Sequence, residues 1–291
     1  MLQQPFIQRA FLVGVIMAIL SSILSPFIVL KKVSLIGDGL GHTAFGGLAL
    51  GYYIGIEPLW AAAVTVILGS IGITKATRTR RVSGDAAVAL FLQLGLASGI
   101  VLISLARGFG VDIESLLFGS ILLVATDQIY LALVILIVTV IIVFMFYKEL
   151  VLVTFDERQA KAAGVKTWFY DYLLSALAGV AVIAAIPIVG VLLISALLVL
   201  PGLSSLQVSK SLKHTMILSP IFGLISTVIG IVLSIILDTA SGATIVVVGL
   251  AIFAFILLGK KITQGQQLQQ KVPAKQEKSP LSTSGKTATG I

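Results

Sequence analysis

The sequence predicts an all-α membrane protein, a polytopic helical bundle of about nine spans with its N-terminus outside and its C-terminus inside. Three observations predict this fold class: 58% of the 291 residues are hydrophobic, only 11% are charged, and the mean hydropathy is +1.11. Ordinary soluble domains carry roughly 25% charged residues, and no soluble domain of this size hides so much apolar surface. The composition therefore excludes the soluble enzyme classes.

The spans are apolar runs of about the length that crosses a bilayer, which takes roughly 20 helical residues. Each run is expected to be a helix, because lipid cannot satisfy the polar groups of the backbone. The runs lie at about residues 8–30, 34–55, 58–75, 85–106, 126–147, 168–187, 190–208, 214–237 and 242–259. Residues 1–262 thus form a transmembrane domain. Residues 263–291, rich in polar side chains and Pro, are predicted to be a disordered cytoplasmic tail.

The basic residues predict the orientation. With the N-terminus outside, the inner loops hold fourteen Lys and Arg residues and the outer loops hold two, Arg9 and Arg107. Cytoplasmic loops of membrane proteins carry such an excess, so the net charge of +8 reflects orientation and does not indicate nucleic-acid binding.

The predicted outer side is acidic. It includes Asp112, Glu114 and Asp238, which favour a cation or a basic partner and equally fit a solvated loop surface. Residues 107–125 are too few for a span and its return, and they predict an outer re-entrant or interfacial helix. The turn at Asp238 is expected to cap the helix that follows it.

The second run contains the residues with the clearest chemistry, in the stretch LIGDGLGHTAFGG at residues 35–47. Asp38 and His42 are four residues apart, so they share one face of a helix. A carboxylate inside a membrane costs several kcal/mol unless it meets a partner or water. An oxygen and an imidazole nitrogen on one face suit zinc or manganese. A structural Asp–His pair and a proton relay are the open alternatives.

Counting ligands makes the metal hypothesis more specific. The chain has no Cys, and its one other His, His214, is expected to be an ordinary interfacial residue. A single chain therefore offers two ligands where zinc takes about four. A homodimer whose second helices face each other would supply two Asp and two His, and water is the other way to complete the site.

The longest polar inner loop predicts a short amphipathic helix that begins with Asp156 as N-cap and is ended by Gly164. Such a helix is either a docking point for a cytosolic partner or a helix resting on the lipid surface. At the inner end of the next span, Asp171 is expected to form an anchoring ion pair with Lys166.

Five segments, in this order along the chain, resemble the permease subunits of bacterial ABC importers for zinc and manganese, the ABC-3 family. They are GDGLGH (37–42), DIESLLFGSIL (112–122), ERQAKAAGV (157–165), VGVLLISALLVLPG (189–202) and DTASGATIVV (238–247). The resemblance covers most of residues 10–260. It departs from the family at Ala240, where relatives often carry Pro.

The resemblance implies a multi-pass permease of the bacterial cell membrane that is not itself an enzyme. It implies a homodimer that works with cytosolic ABC ATPase subunits and with an extracellular lipoprotein or periplasmic protein that delivers the metal. The alternative is a stand-alone, ion-coupled secondary metal transporter.

The resemblance also assigns residues. Asp38 and His42 match the residues that line the metal path of the family. The residues that match the coupling helix, which docks on the ATPase, are Asp156, Glu157, Arg158, Ala160 and Gly164. The GDGLGH pattern followed by Phe45-Gly46-Gly47 favours zinc over manganese as the transported ion. No permanently bound cofactor is expected.

Overall fold

The computed structural model describes residues 5–79, 82–105, 126–190 and 194–271, and the regular structure in these ranges is entirely helical. The described helices are α1 (Pro5–Leu30), α2 (Ile36–Ile54), α3 (Pro58–Arg78), α4 (Gly84–Leu105), α5 (Thr126–Met145), α6 (Tyr147–Phe155), α7 (Glu157–Ala162), α8 (Thr167–Val189), α9 (Ile194–Val208), α10 (Leu212–Leu237) and α11 (Ser241–Lys271). The segment predicted over residues 107–125, with Asp112 and Glu114, lies outside the described residues.

The predicted spans are helices, as expected, but fewer of them than predicted are long enough to cross a membrane. Within the described ranges, seven helices are long and apolar enough to cross a membrane: α1, α3, α4, α5, α8, α10 and α11. The two further predicted spans correspond to α2, with 19 residues, and α9, with 15 residues. At 1.5 Å per residue, α9 is about 22 Å long, shorter than the ~30 Å hydrocarbon layer. The all-helical prediction is confirmed, and the count of nine is not.

The bundle has a buried centre and an apolar rim. Helix α1 packs on α5, α8, α9 and α10, and helix α2 is enclosed by α3, α4, α8 and α9. Large side chains of α1, among them Met17, Leu20 and Phe27, are fully buried. Helices α4, α5 and α11 expose most of their apolar side chains. Such an apolar rim is what a bilayer covers in a multi-pass protein.

Helix α2 lies unusually close to its neighbours because glycines occupy both sides of the contact. A Cβ atom at Gly95 of α4 would lie 2.3 Å from the carbonyl oxygen of His42. A Cβ atom at Gly47 of α2 would lie 2.7 Å from the Cα atom of Ala62 on α3. Small residues allow membrane helices to approach in this way. The glycines therefore fix the backbone of α2 around residue 42.

Three helix ends that the sequence assigns to the inner side meet in one place. Asp171, near the start of α8, forms ion pairs with Lys31 after α1 and with Arg78 at the end of α3. The expected partner, Lys166, is not the one it uses, because the fold brings the ends of α1 and α3 against this side of α8. The meeting of these ends agrees with the predicted threading, and the absolute orientation stays a prediction.

A break after α5 was not predicted from the sequence. The chain turns at Phe146 and continues as α6 towards the inner polar segment. The ring of Phe146 packs edge-to-face on Phe169 and Tyr170 at the start of α8, with centroid distances of 6.0 and 5.8 Å. This aromatic contact is a tertiary interaction that hydrophobic periodicity does not reveal.

At the other end of the chain, α11 continues to Lys271, beyond the predicted boundary at residue 262. Residues 272–291 lie outside the described ranges. The division into a transmembrane domain and a tail stays a prediction.

The packing of α4 on α2 gives a first testable prediction. Gly95→Ala is expected to destabilise the protein by about 1–3 kcal/mol, because the new methyl group meets backbone atoms that cannot move aside. The matched control is Gly259→Ala on α11, where a Cβ atom meets nothing within 4 Å. Thermal unfolding of the detergent-purified variants measures the difference. Equal melting temperatures for the two variants would contradict the packing described here.

Candidate metal site

Asp38 and His42 are the accessible residues in the part of α2 that is otherwise buried, up to Ala49. From Ile36 to Ala49, every residue of α2 is buried except these two, which are partly exposed. The predicted spacing is confirmed, since both residues lie in α2 one turn apart. The pair therefore forms a small, partly exposed polar patch on a tightly packed stretch of helix.

A serine from another helix contacts the acid. Ser195, in the first turn of α9, donates a hydrogen bond from its hydroxyl group to Oδ1 of Asp38. The contact depends on Gly37, because a Cβ atom there would lie 2.8 Å from the Cα atom of Ser195. Sequence reasoning missed Ser195. The available signal was that it is the single polar side chain in the run VGVLLISALLVL over residues 189–200.

The acid and the imidazole do not neutralise each other directly. Among the described residues, the ion pairs are those of Asp171 and Glu157, and none joins Asp38 to His42. The Nδ1 atom of His42 is buried and has no hydrogen-bond partner in the part of the chain that the structure describes. Buried polar nitrogen atoms are normally hydrogen-bonded, so this atom leaves His42 with unused binding capacity. A structural Asp–His ion pair does not describe this geometry.

The donors of one chain do not complete a metal site. Within the described ranges, no group of three or more His, Cys, Asp or Glu side chains lies together. The candidate donors are the carboxylate oxygens of Asp38, the hydroxyl oxygen of Ser195 and an imidazole nitrogen of His42. His214 lies at the start of α10 and is in no such group; its Nδ1 atom lies 3.0 Å from Oγ of Ser211. The described residues therefore leave room for further ligands, such as water or a side chain of a second copy.

The predicted inner helix is present as α7, and its N-terminus is capped as expected. The Asp156 side chain accepts hydrogen bonds from the backbone N–H groups of Arg158, at 2.9 Å, and Gln159, at 3.0 Å. The predicted terminator Gly164 has φ of +79° and follows the last helical turn. Ala160 is the one buried residue of this helix, and Arg158 is exposed. Helix α7 is therefore an anchored turn with an exposed polar surface.

Glu157 connects α7 to the long helix α8. Its carboxylate lies 2.6 Å from Nζ of Lys161 and accepts a 3.4 Å hydrogen bond from Thr167, the first residue of α8. The hydrogen bond from Lys161 is the main cause that lowers the pKa of Glu157 below its usual 4.5, against the opposing effect of burial. A carboxylate whose pKa is lowered on folding stabilises the fold above that usual pKa. Its contribution is lost as the pH falls further.

The last predicted acidic residue lies at a helix end. Asp238 is exposed and ends α10 with a φ of +51°, in the left-handed region that Asp adopts more readily than most residues. The expectation that it caps the following helix is wrong, because α11 begins only at Ser241. The position remains an exposed acid between the last two helices.

Fold and site together define a multi-pass membrane protein of the permease class, in which a polar pair lies within the helical bundle. Comparison with known families agrees. A family model described as "ABC 3 transport family" matches residues 3–260, and the chain belongs to this family. Members of the family are transporter components of the cell membrane and not enzymes. The resemblance noted in the sequence is therefore confirmed.

Characterised relatives match along nearly their whole length. The manganese transport system membrane protein MntC of Halalkalibacterium halodurans is 33% identical over 254 residues, which cover 87% of this chain and 87% of that protein. The manganese import system permease protein ScaB of Streptococcus gordonii is 32% identical over 248 residues, covering 85% and 89%. Among solved structures, PsaBC from Streptococcus pneumoniae in complex with Fab has a TM-score of 0.77 at 30% identity, over 87% of this chain and 91% of that one.

The cap of α7 gives a second prediction. Asp156→Ala is expected to cost about 1 kcal/mol of local stability, so that the amides of Arg158 and Gln159 exchange with solvent about fivefold faster. Asp156→Asn is the matched control, because Asn caps helices as well as Asp. Hydrogen exchange of the full-length protein measures both. The assignment of the cap would be wrong if Asp156→Asn accelerated exchange as much as Asp156→Ala.

Proposed function

We propose that the chain is the membrane-spanning permease subunit of an ATP-driven importer of a divalent transition metal. The observation that carries the proposal is the accessibility of Asp38 and His42 in a helix whose other residues up to Ala49 are buried. An acid and an imidazole are expensive inside a membrane and mark an ion path when they line a polar opening. The cargo ion passes between them as substrate and is not held permanently.

We propose manganese as the cargo before zinc. The relatives MntC and ScaB are named for manganese transport or import. The donor set supports the same choice, because the carboxylate of Asp38 and the hydroxyl of Ser195 add oxygen donors to a single imidazole. Oxygen ligands suit manganese, whereas imidazole and thiolate suit zinc. The sequence-based preference for zinc has no support from these relatives.

A second copy of the chain is the proposed source of further ligands. Because Asp38 and His42 stay partly exposed among the described helices, they are available to the same residues of a partner. Two copies would offer two carboxylates and two imidazoles around one ion, close to a complete ligand set. A ratio of two bound metal ions per dimer at this position would contradict a shared site.

The energy is proposed to come from cytosolic ATPase subunits that dock on α7, through its exposed face around Arg158. Glu157 links this helix to Thr167, so a displacement of α7 acts on α8. Helix α8 in turn contacts α2, since a Cβ atom at Gly179 would lie 3.9 Å from Cδ1 of Leu40. ATP would supply the difference in metal affinity between outward- and inward-open states.

Delivery from outside is proposed to depend on a solute-binding lipoprotein or periplasmic protein. The exposed acid Asp238 and the sequence positions Asp112 and Glu114 would form its docking face. The competing hypothesis, a stand-alone ion-coupled transporter, uses Asp38 as a proton or sodium site and needs no ATPase. An uncoupler would abolish uptake under that hypothesis and leave it largely intact under ours.

Asp38 provides the third prediction. Asp38→Asn is expected to reduce manganese uptake at least tenfold, because it preserves the shape and the contact with Ser195 but removes the charge that attracts the ion. Uptake of radioactive manganese by cells that express the complete importer measures the effect. The control is Asp85→Asn, an exposed acid in the first turn of α4. Normal uptake by Asp38→Asn, in an importer that assembles normally, would refute the metal path.

Ser195 provides the fourth prediction. Ser195→Ala is expected to raise the manganese concentration for half-maximal uptake about tenfold, because a hydrogen bond to a charged group is worth about 1.5–3 kcal/mol. Ser205→Ala on the same helix is the control, since its hydroxyl donates a hydrogen bond to the carbonyl oxygen of Gly202, at 2.9 Å, and not to Asp38. If both variants transported with the same half-saturation, Ser195 would have no role in positioning Asp38.

A further inference from the structure

A second polar site lies at the end of the bundle that is predicted to face the cytoplasm. It is a cavity of about 400 Å³ between the ends of α1 and α3, the start of α8 and the α6–α7 segment. We call it the inner cavity. Its charged lining residues are Lys31, Lys32, Arg78, Glu157, Lys161 and Asp171. Asp38 and His42 do not line this cavity.

The inner cavity carries excess positive charge. Four basic and two acidic side chains line it, which leaves a formal charge of +2. Lys161 is paired with Glu157, but Asp171 is shared by two cations, Lys31 and Arg78. The side chains of Lys31 and Asp171 are only 15% and 18% exposed. By formal charge, one cation of this partly buried trio is left over among the described lining residues, and the exposed Lys32 adds a further positive charge.

A hydroxyl group in the same cavity lacks a partner. The Oγ1 atom of Thr154, on α6, is buried and makes no hydrogen bond within the described ranges. The neighbouring Thr74 is already satisfied by Ser175, at 2.7 Å, so it is not the missing partner. This hydroxyl is itself buried, so the cations of the lining are the groups that suit an anion with several oxygen atoms.

The charge excludes a role in releasing the cargo, because a divalent cation is repelled where the lining is positive. We propose that the inner cavity binds a phosphate group, and that an anionic phospholipid of the inner leaflet supplies it. Basic pockets between membrane helices on the cytoplasmic side bind such headgroups. The cavity lies where the spans α1, α3 and α8 end, which is the level of the headgroups. The bound phosphate would join α1, α3 and α8 beside the coupling helix α7.

Binding of phosphatidylglycerol to the full-length, delipidated protein tests the proposal, with native mass spectrometry as the readout. Arg78→Gln leaves Asp171 paired one-to-one with Lys31, so no acid is left without a counter-charge. It is expected to weaken phosphatidylglycerol binding about fivefold, as is Lys32→Gln, because each basic residue near the surface contributes about that factor. The control is Lys213→Gln, an exposed basic residue outside the cavity, which should bind like the unaltered protein.

Asp171→Asn separates binding from structural support. It frees both cations of the trio, so phosphatidylglycerol should bind about fivefold more tightly. A merely structural trio would give reduced stability without any gain in lipid binding. Phosphatidylcholine serves as the neutral lipid and inorganic phosphate as the free anion. Preference for phosphatidylglycerol identifies the lipid as the source, and equal competition by inorganic phosphate identifies the free ion.

Two results would overturn the proposal. One is unchanged binding of phosphatidylglycerol and phosphate in Arg78→Gln, Lys32→Gln and Asp171→Asn alike. The other is that these variants lose the ATPase subunit from the purified importer while they bind lipid and phosphate as before. That result would mean that the cavity binds an acidic side chain of the ATPase subunit. Neither result bears on transport through Asp38 and His42, so this proposal and the proposed function can fail separately.

Discussion

The close packing of α2 against its neighbours is the constraint on which the rest of the structure depends. An acid and an imidazole can lie inside a membrane bundle only if the backbone that carries them is held in place. Glycines at positions 37, 47 and 95 allow α9, α3 and α4 to approach that backbone directly. The same approach brings Ser195 to Asp38. Packing thus leaves Asp38 and His42 as the accessible chemistry of the helix.

The two polar sites carry charge of opposite sign. Around Asp38 the charge is negative and partly accessible, as the proposed metal path requires. At the inner cavity the charge is positive, because the single carboxylate of Asp171 faces both Lys31 and Arg78. The two sites lie on helices that contact one another, since α8 packs on both α2 and α3. Helix α8 therefore links α7 to both sites, which is the connection that the proposed coupling requires.

Much of the site and the fold was predictable from local patterns. The spacing of Asp38 and His42 predicted a shared face, and Asp156 and Gly164 predicted the start and end of α7. Local patterns failed where distant segments meet. The partners of Asp171 come from the ends of α1 and α3, and the turn at Phe146 depends on aromatic rings of α8. The cap expected at Asp238 was also wrong, because the sequence does not show that the next helix begins only at Ser241.

The sequence by itself determined the membrane environment, the helical class, the family and the acid–imidazole pair. The environment, the helical class and the pair follow from composition, hydropathy and short spacings, which are local properties of the chain. The family followed from a resemblance in five segments. Only the tertiary structure decided that Ser195 contacts Asp38, that Gly95 lies against His42, and that an uncompensated positive charge remains at the inner cavity. Such contacts join residues far apart in the chain. Their energies depend on distances between helices, and no local pattern encodes those distances.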